Sequence, residues 1–495
     1  MNAPINKLAL AAALALSFSS VATQAQTATS PAAAPLLATV EQKLAEGPAG
    51  SRFGVLVTTL DGEVLVSIAP DQRFIPASNT KMFTTAIAYA ELPLLQHTAK
   101  GTGVRLETGA DGKVDVVLHG RGDAALSSAD DCKSDCLRTL ADAVAAKTRH
   151  VGNIIGDDSW FPDERWSPGM SWNNIPSRYG TGISALTLDD NELVVKLAPG
   201  KVGAAPVLQT SGYYVIENRI VTIAGKEEAI EADRMPNSRT LRLTGTVGAD
   251  VAPMTLRYGI DDPAHYTAWR FGELLRARGV RVDGDIAVRH RPLTAADDPE
   301  ERKGAPTTLP PEPAMLAELP ASSLAENMVR INKESQNLHS ELMLRRVARH
   351  AGSGSIADGQ AVMRKIMTGA GVSEAGYHFA DGSGMSSYNR LSPRAAVGLL
   401  GWIARQPWGA AWRETLPIAG RDGTLQNRFK GTILEGKLFA KTGSLNASRA
   451  LSGYLMTRGG ATLIFSALAN DMPEDTDSEA TAAVDRALVA IAEEL

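Results

Sequence analysis

Ile75-Pro76-Ala77-Ser78-Asn79-Thr80-Lys81-Met82-Phe83-Thr84-Thr85-Ala86 reads as a loop running into a helix. Pro76 halts a preceding strand, and Ala86-Ile87-Ala88-Tyr89-Ala90 continues a good helix former. Ser78 and Lys81 stand at i and i+3, so a helix puts both side chains on one face. A serine hydroxyl is a weak nucleophile until a base takes its proton. A lysine amine becomes that base when burial or a second cation lowers its pKa. A helix N-terminus adds backbone N–H groups aimed at a developing oxyanion. Ser-x-x-Lys occurs only here, but alone it is a weak signal, also met as a surface Ser and Lys on an ordinary helix.

Outward from this stretch, the 495 residues have room for about three domains. Charged residues at 21% and hydrophobic residues at 44% suit a globular chain. The net charge of −5 is spread thinly and no basic cluster occurs, which argues against nucleic acid as a partner. Lys7, an apolar run from Leu8 to about Phe18 and the small residues up to Ala25 read as a signal peptide over 1–25. A flexible lead-in follows at 26–36. Export to an oxidising compartment favours a local disulfide between Cys132 and Cys136 over metal binding, because no Cys or His pair nearby completes a zinc set.

Residues 37–50 fit an amphipathic helix ending at Gly47, and Gly54–Leu60 and Glu63–Ala69 flank an Asp61-Gly62 hairpin turn. From residue 92 short β-type runs alternate with Gly and Asp turns, with helices near 135–147 and at Pro263–Arg278. Val151–Gly156 and Asp157–Phe161 read as successive short runs, 162–180 as a long irregular loop and 291–313 as a Pro-rich linker. Helices return after 314, with Ser335 inside a helical region. Two strands at Leu438–Thr442 and Ala450–Met456, a third at Ala461–Ala469 and a helix from Ser478 close the chain. The simplest arrangement joins 26–91 and 314–495 into one α/β domain of helices around an antiparallel sheet. Between them lies an insertion, divided into 92–189 with 257–313, and the β-rich 190–256.

Two further motifs complete a set. Ser335-Gln336-Asn337 offers a second hydroxyl for proton transfer and an amide for a substrate carbonyl. Lys441-Thr442-Gly443 ends a strand that can pair with an extended peptide; Gly443 allows close backbone approach and Lys441 can lower the pKa of Lys81. Each is common alone, but Ser-x-x-Lys, Ser-x-Asn and Lys-Thr-Gly in that order are characteristic of penicillin-binding proteins and serine β-lactamases.

With Asn332-Lys-Glu-Ser-Gln-Asn-Leu338, Asp381-Gly-Ser-Gly-Met-Ser386, Asp422-Gly-Thr-Leu-Gln-Asn-Arg428 and Ala440-Lys-Thr-Gly-Ser-Leu445, the sequence resembles the class C low-molecular-mass penicillin-binding proteins. These are the D-alanyl-D-alanine carboxypeptidase/endopeptidase group with a large insertion. The long gap between Lys81 and Ser335, and Gly120-Arg-Gly-Asp123 and Asp157-Asp-Ser-Trp-Phe161 within it, fit that group. The resemblance implies that Ser78 is acylated by the penultimate D-Ala carbonyl, that Lys81 is its base, and that Ser335 relays a proton to the leaving D-Ala. Asn337 would hold the acyl-side chain. Lys441 and Thr442, beside Gly443, would receive the terminal carboxylate. The N–H groups of Ser78 and Ser444 would form the oxyanion hole. Asp157 and Phe161 would reach the cleft and touch the third residue of the stem peptide.

Two departures fall on the acyl-donor side: Ser386-Ser387-Tyr388-Asn389 where relatives commonly have Ser-Arg-x-Asn, and Asn446-Ala447 after Ser444-Leu445. The implied protein is a periplasmic serine D,D-carboxypeptidase with D,D-endopeptidase activity. It would act on peptidoglycan stem peptides, be inhibited by β-lactams, need no metal or cofactor, and touch the membrane at most peripherally. A serine β-lactamase shares the motifs but needs a dedicated water activator, and none is evident. A non-catalytic wall-binding protein on the same fold is the other reading; the complete Ser78/Lys81/Ser335/Asn337/Lys441 set argues against it.

Overall fold

The computed structural model describes residues 34–92, 100–109, 111–303, 305–309 and 311–495. The signal-peptide reading of 1–25 lies outside them. The two ends of the described chain build one sheet. Its strands run in the order Leu438–Leu445, Ser448–Met456, Thr462–Asn470, Arg52–Thr59, Val64–Ile68, every neighbour antiparallel. Near-continuous buried runs such as Val55-Leu56-Val57 and Leu463-Ile464-Phe465 leave both faces of this sheet needing cover. On one face lie the helices Ala34–Ala45 and Asp477–Glu494, whose Val40, Leu44, Val484, Leu488 and Ile491 pack on Val57, Leu451 and Phe465. The last helix thus spends its apolar stripe on the sheet. No helix among the described residues is long and apolar enough to cross a membrane.

The other face carries the helix Thr80–Glu91, in which every residue from Thr80 to Ala88 is buried. Helices Leu324–Lys333, Asn337–Ala351 and Pro393–Ala404 enclose it in one apolar core that includes Met82, Phe83, Met328, Leu344 and Leu400. A helix buried all round is held rigidly, which suits an element that presents Ser78.

The insertion is centred on a five-stranded mixed sheet of order Ile286–Arg291, Ile154–Pro162, Val114–His119, Lys100–Thr108, Ala317–Pro320. Helices Leu137–Lys147 and Pro263–Ala277 pack on it through Leu140, Val144, Phe271 and Leu275. Residues 192–259 add two three-stranded sheets. Cys132 and Cys136 are joined by a disulfide.

Three details differ from the sequence reading. The runs around Asp157 form one continuous strand, Ile154–Pro162, because Val116–His119 and Ile286–Arg289 pair with it on either side. The insertion's sheet extends past 313, since Ala317–Pro320 pairs antiparallel with Lys100–Val104. Ser335 is not helical: it sits in the break between helices Leu324–Lys333 and Asn337–Ala351 with φ +58°.

Candidate active site

Ser78 lies on a 3₁₀ turn, Ala77–Asn79, that feeds the helix Thr80–Glu91. Ala77 has φ +45°, a left-handed conformation that costs a residue with a Cβ of order 1 kcal/mol or more. Two glycines brace the strained turn. Gly384 has φ +92°, and a Cβ on it would stand 1.9 Å from the Ala77 carbonyl oxygen and 3.0 Å from Ser78 N. A Cβ on Gly443 would stand 2.6 Å from the Pro76 oxygen and 3.2 Å from Ser78 N. Asn79 Nδ2 donates to the Lys441 carbonyl at 2.9 Å, tying the turn to the Lys441 strand. We expect Gly384→Ala to lower unfolding free energy by about 2 kcal/mol and to slow acylation of Ser78 as well, because only backbone stands where the methyl must go. Urea denaturation together with the rate of labelling by a fluorescent penicillin reads both.

Lys81 is fully buried, and its Nζ is within hydrogen-bond distance of three oxygens: Ser78 Oγ at 2.8 Å, Asn337 Oδ1 at 2.6 Å and the Ser383 carbonyl at 2.6 Å. Burial pushes its pKa down to about 7, against the pull of Asp381 and Glu341, which favour the charged form. The sequence reading offered burial or the Lys441 cation as the cause; burial is the one that acts on Lys81. Lys441 is also fully buried, and burial and then Lys81 hold it well below the usual lysine range. Its Nζ donates to Ser335 Oγ at 2.9 Å and to the Thr442 carbonyl at 3.0 Å. The left-handed break at Ser335 is what lets its hydroxyl meet Lys441, so the strain sits at a site residue.

Asn337 is held at both ends of its amide, since Nδ2 donates to the Tyr179 carbonyl at 2.9 Å. Tyr179 belongs to the irregular 162–180 loop, so the insertion does contribute to this site. The same loop rests on the segment that departs from the family pattern: Ser386 Oγ donates to the Pro168 carbonyl at 2.6 Å, and Ser387 Oγ to the Gly169 carbonyl at 3.0 Å.

Sequence reading missed the layer beneath Lys81. Glu341 is buried and accepts from the N–H groups of Gly382 and Ser383 at 3.0 and 2.8 Å. Burial and the neighbouring Asp381 push its carboxyl up. Asp381 accepts from Gly384 N, Ser386 N and Asn389 Nδ2. Together these carboxylates set the loop whose Ser383 carbonyl holds Lys81. A signal for Glu341 was present: it follows Asn337 by four positions and so shares its helix face. Thr424, from the Asp422-Gly-Thr segment, was also unassigned; its Oγ1 lies 2.7 Å from Thr442 Oγ1. Thr442, Gly443, Ser444, Thr424, Arg428 and Arg449 line a cavity of about 280 Å³ beside the C-terminal helix. Arg428 and Arg449 are ion-paired there to Asp485 and Asp477.

Three predicted residues stand apart. Asp157 is buried in the insertion's sheet, paired with Arg105 at 2.9 Å and bonded to Ser159 Oγ at 2.6 Å. Phe161 is core, packed with Ala124, Ala185, Leu338 and Leu342. Their strand turns both side chains inward, so neither lines the cleft as expected. Asn446 is exposed on the two-residue turn joining Leu438–Leu445 to Ser448–Met456. Of the eleven side chains singled out, Ser78, Lys81, Ser335, Asn337, Lys441 and Thr442, with Gly443 and Ser444 on the same strand, come together.

The structure thus brings the three motifs together: the Ser78 and Ser335 hydroxyls each meet a buried lysine beside the edge strand Leu438–Leu445. The D-Ala-D-Ala carboxypeptidase 3 (S13) family model matches residues 36–495. The chain belongs to that family. The family resemblance read from the motifs therefore holds, including the insertion that falls inside the matched range. Among its relatives is a D-alanyl-D-alanine carboxypeptidase of Actinomadura sp. (strain R39), 34% identical over 422 residues, which cover 81% of this chain and 74% of the relative. D-alanyl-D-alanine carboxypeptidase DacB of Haemophilus influenzae is 22% identical over 84% of this chain and 85% of its own. The crystal structure of penicillin binding protein 4 (dacB) from Haemophilus influenzae superposes with a TM-score of 0.76 at 20% identity, covering 91% of this S13 chain and 98% of that one. It shares the α/β fold with antiparallel sheets expected from the sequence.

Proposed function

We propose that this S13 chain is a serine D,D-carboxypeptidase that removes the terminal D-alanine of peptidoglycan stem peptides and also cleaves D,D cross-links. The observation that carries the reading is the set of partners around Lys81 Nζ. A neutral amine has two hydrogens and one lone pair. Asn337 Oδ1 and the Ser383 carbonyl can only accept, so they take the two hydrogens. The lone pair is then left for the Ser78 hydroxyl at 2.8 Å. A pKa of about 7 keeps a large fraction of Lys81 in that neutral form at physiological pH.

The reaction follows from this arrangement. Lys81 takes the Ser78 proton as Oγ attacks the penultimate D-Ala carbonyl carbon. The N–H groups of Ser78 and Ser444 face the oxyanion that forms. As the C–N bond breaks, Ser335 gives its proton to the leaving amine and is resupplied by Lys441, 2.9 Å away. Proton transfer from Lys81 to Lys441 then restores both lysines, so that in net terms the proton taken from Ser78 leaves with D-alanine. Water repeats the sequence on the acyl-serine, returning the acid and free Ser78. The hydroxyls of Thr442 and Thr424, at the mouth of a cavity that also holds Arg428, suit the substrate's terminal carboxylate. In a cross-link, the amine of the partner peptide's side chain leaves instead, by the same chemistry. A β-lactam ring presents an equivalent carbonyl and would leave a slowly hydrolysed acyl-Ser78. The apolar run at 8–18 supports export to the periplasm.

Incubation with a pentapeptide ending in D-Ala-D-Ala should release one free D-alanine per peptide, and a purified cross-linked muropeptide dimer should split into monomers. Fast hydrolysis of penicillin with no D-alanine release would instead mark a β-lactamase.

A further inference from the structure

The insertion holds a second cavity, of about 350 Å³, that shares no residue with the Ser78 site. It opens between the sheet strands carrying Arg105, Asp157 and Arg289 and the residues 307–309 and 311–313, with Arg349 at its edge. Arg349 lies near the far end of the helix that begins at Asn337, so about 18 Å of helix separates the two sites.

Around the cavity lie buried polar atoms without hydrogen-bond partners among the described residues. Arg105 and His119 are 7% and 5% exposed, yet Arg105 Nη1 and both ring nitrogens of His119 have no hydrogen-bond partner among the described residues. The nearest carboxylate oxygen to His119 is on Asp157, 3.5 Å away. Thr307 Oγ1 and the Nε and Nη1 of Arg349 are also buried with no partner among the described residues. Arg349 makes no ion pair among the described residues; its guanidinium instead lies over the Trp160 ring, 4.1 Å from the centroid. Buried polar groups in folded proteins are otherwise nearly always satisfied, and even a half-buried guanidinium such as that of Arg349 is costly to leave without an acceptor. Burial, then the like charge of Arg291, lowers the Arg349 pKa to about 10 against the pull of Glu312.

The charges fix the kind of occupant. The lining guanidiniums are Arg105, Arg289, Arg291 and Arg349, against the carboxylates of Asp157, Asp297 and Glu312. Adding the flanking Arg121, which pairs with Glu312, and Glu107, which pairs with Arg105 and Arg289, leaves the same excess of one cation. One negative charge with two acceptor oxygens matches this excess and the fork of Arg349. The body of the ligand would lie against Leu309 and Pro311.

We infer that this cavity is a second ligand site, which takes a small carboxylate held by Arg349, Arg105 and His119. The carboxylate could come from a free organic acid or from a fragment of the wall polymer. Only the second source rests on the peptidase reading.

Isothermal titration of the full-length mature protein tests this with D-lactate, inorganic phosphate and a disaccharide tetrapeptide, which has no terminal D-Ala-D-Ala. One D-lactate should bind per chain, at least tenfold more weakly to Arg349→Ala and with unchanged affinity to Ser78→Ala. Displacement of D-lactate by the tetrapeptide assigns the site to wall fragments, and independent binding assigns it to free acids. Either supports the site whatever the peptidase assay gives. No D-lactate binding up to about 10 mM, equal binding by Arg349→Ala, or tighter binding of phosphate would overturn the proposal. Arg349→Gln, checked for native circular dichroism, replaces Arg349→Ala if that variant does not fold.

Discussion

Ser78→Ala should give a protein that penicillin no longer labels: intact-mass spectrometry should find one covalent adduct per wild-type chain and none on the variant. Hydrolysis of a D-Ala-D-Ala peptide should fall by about 10⁴-fold or more, since the hydroxyl that Lys81 contacts and that forms the acyl intermediate is removed. Folding should be unaffected. Ser78 is only part-buried, and the turn it occupies is held by Asn79, Gly384 and Gly443 rather than by its hydroxyl. An adduct that persists in the variant would place the nucleophile elsewhere. A wild-type chain that neither retains nor turns over penicillin would point to a silent wall-binding protein.

Lys81→Ala should lower the second-order rate of penicillin acylation by about 10²- to 10⁴-fold, the usual worth of a positioned general base. The adduct should still form slowly, because Ser78 and its backbone surroundings remain. This separates the base from the nucleophile: one variant slows labelling and the other abolishes it. The substitution also leaves Asn337 Oδ1 and the Ser383 carbonyl without their shared donor. Lys81→Met, which keeps the buried volume, therefore controls for collapse of the pocket. If Lys81→Met were acylated as fast as wild type, Lys81 would not be the base.

What could be read from sequence were features set by local spacing. Ser78 and Lys81 share a helix face by their i, i+3 positions. Lys441 is placed by a strand that the sequence ends at Thr442 and the structure continues through Gly443 to Leu445, and the closing helix by its apolar stripe. What could not be read depends on contacts between distant segments. Ser335 follows a run of good helix formers, and only its approach to Lys441 accompanies the left-handed break. Asp157 was expected at the cleft because the family resemblance implied it. Its burial becomes visible only once the strands pair, when His119 and Arg289 fall directly opposite it in register. Tyr179 acts through its main-chain carbonyl, which carries no side-chain signature at all. Glu341 was open to discovery by helical spacing, but its function is to receive two N–H groups of a loop some forty residues away, Gly382 and Ser383.

The pH dependence of acylation tests most directly whether a buried, neutral Lys81 is the base. The active form is the unprotonated amine. With a pKa pushed down to about 7 by burial, the acylation rate should rise tenfold per pH unit below about 6 and level off above about 8. The limb should vanish in Lys81→Met. A rate that keeps climbing to pH 10, as for an ordinary lysine of pKa about 10.4, or one that is flat from pH 5 to 9, would contradict the assignment.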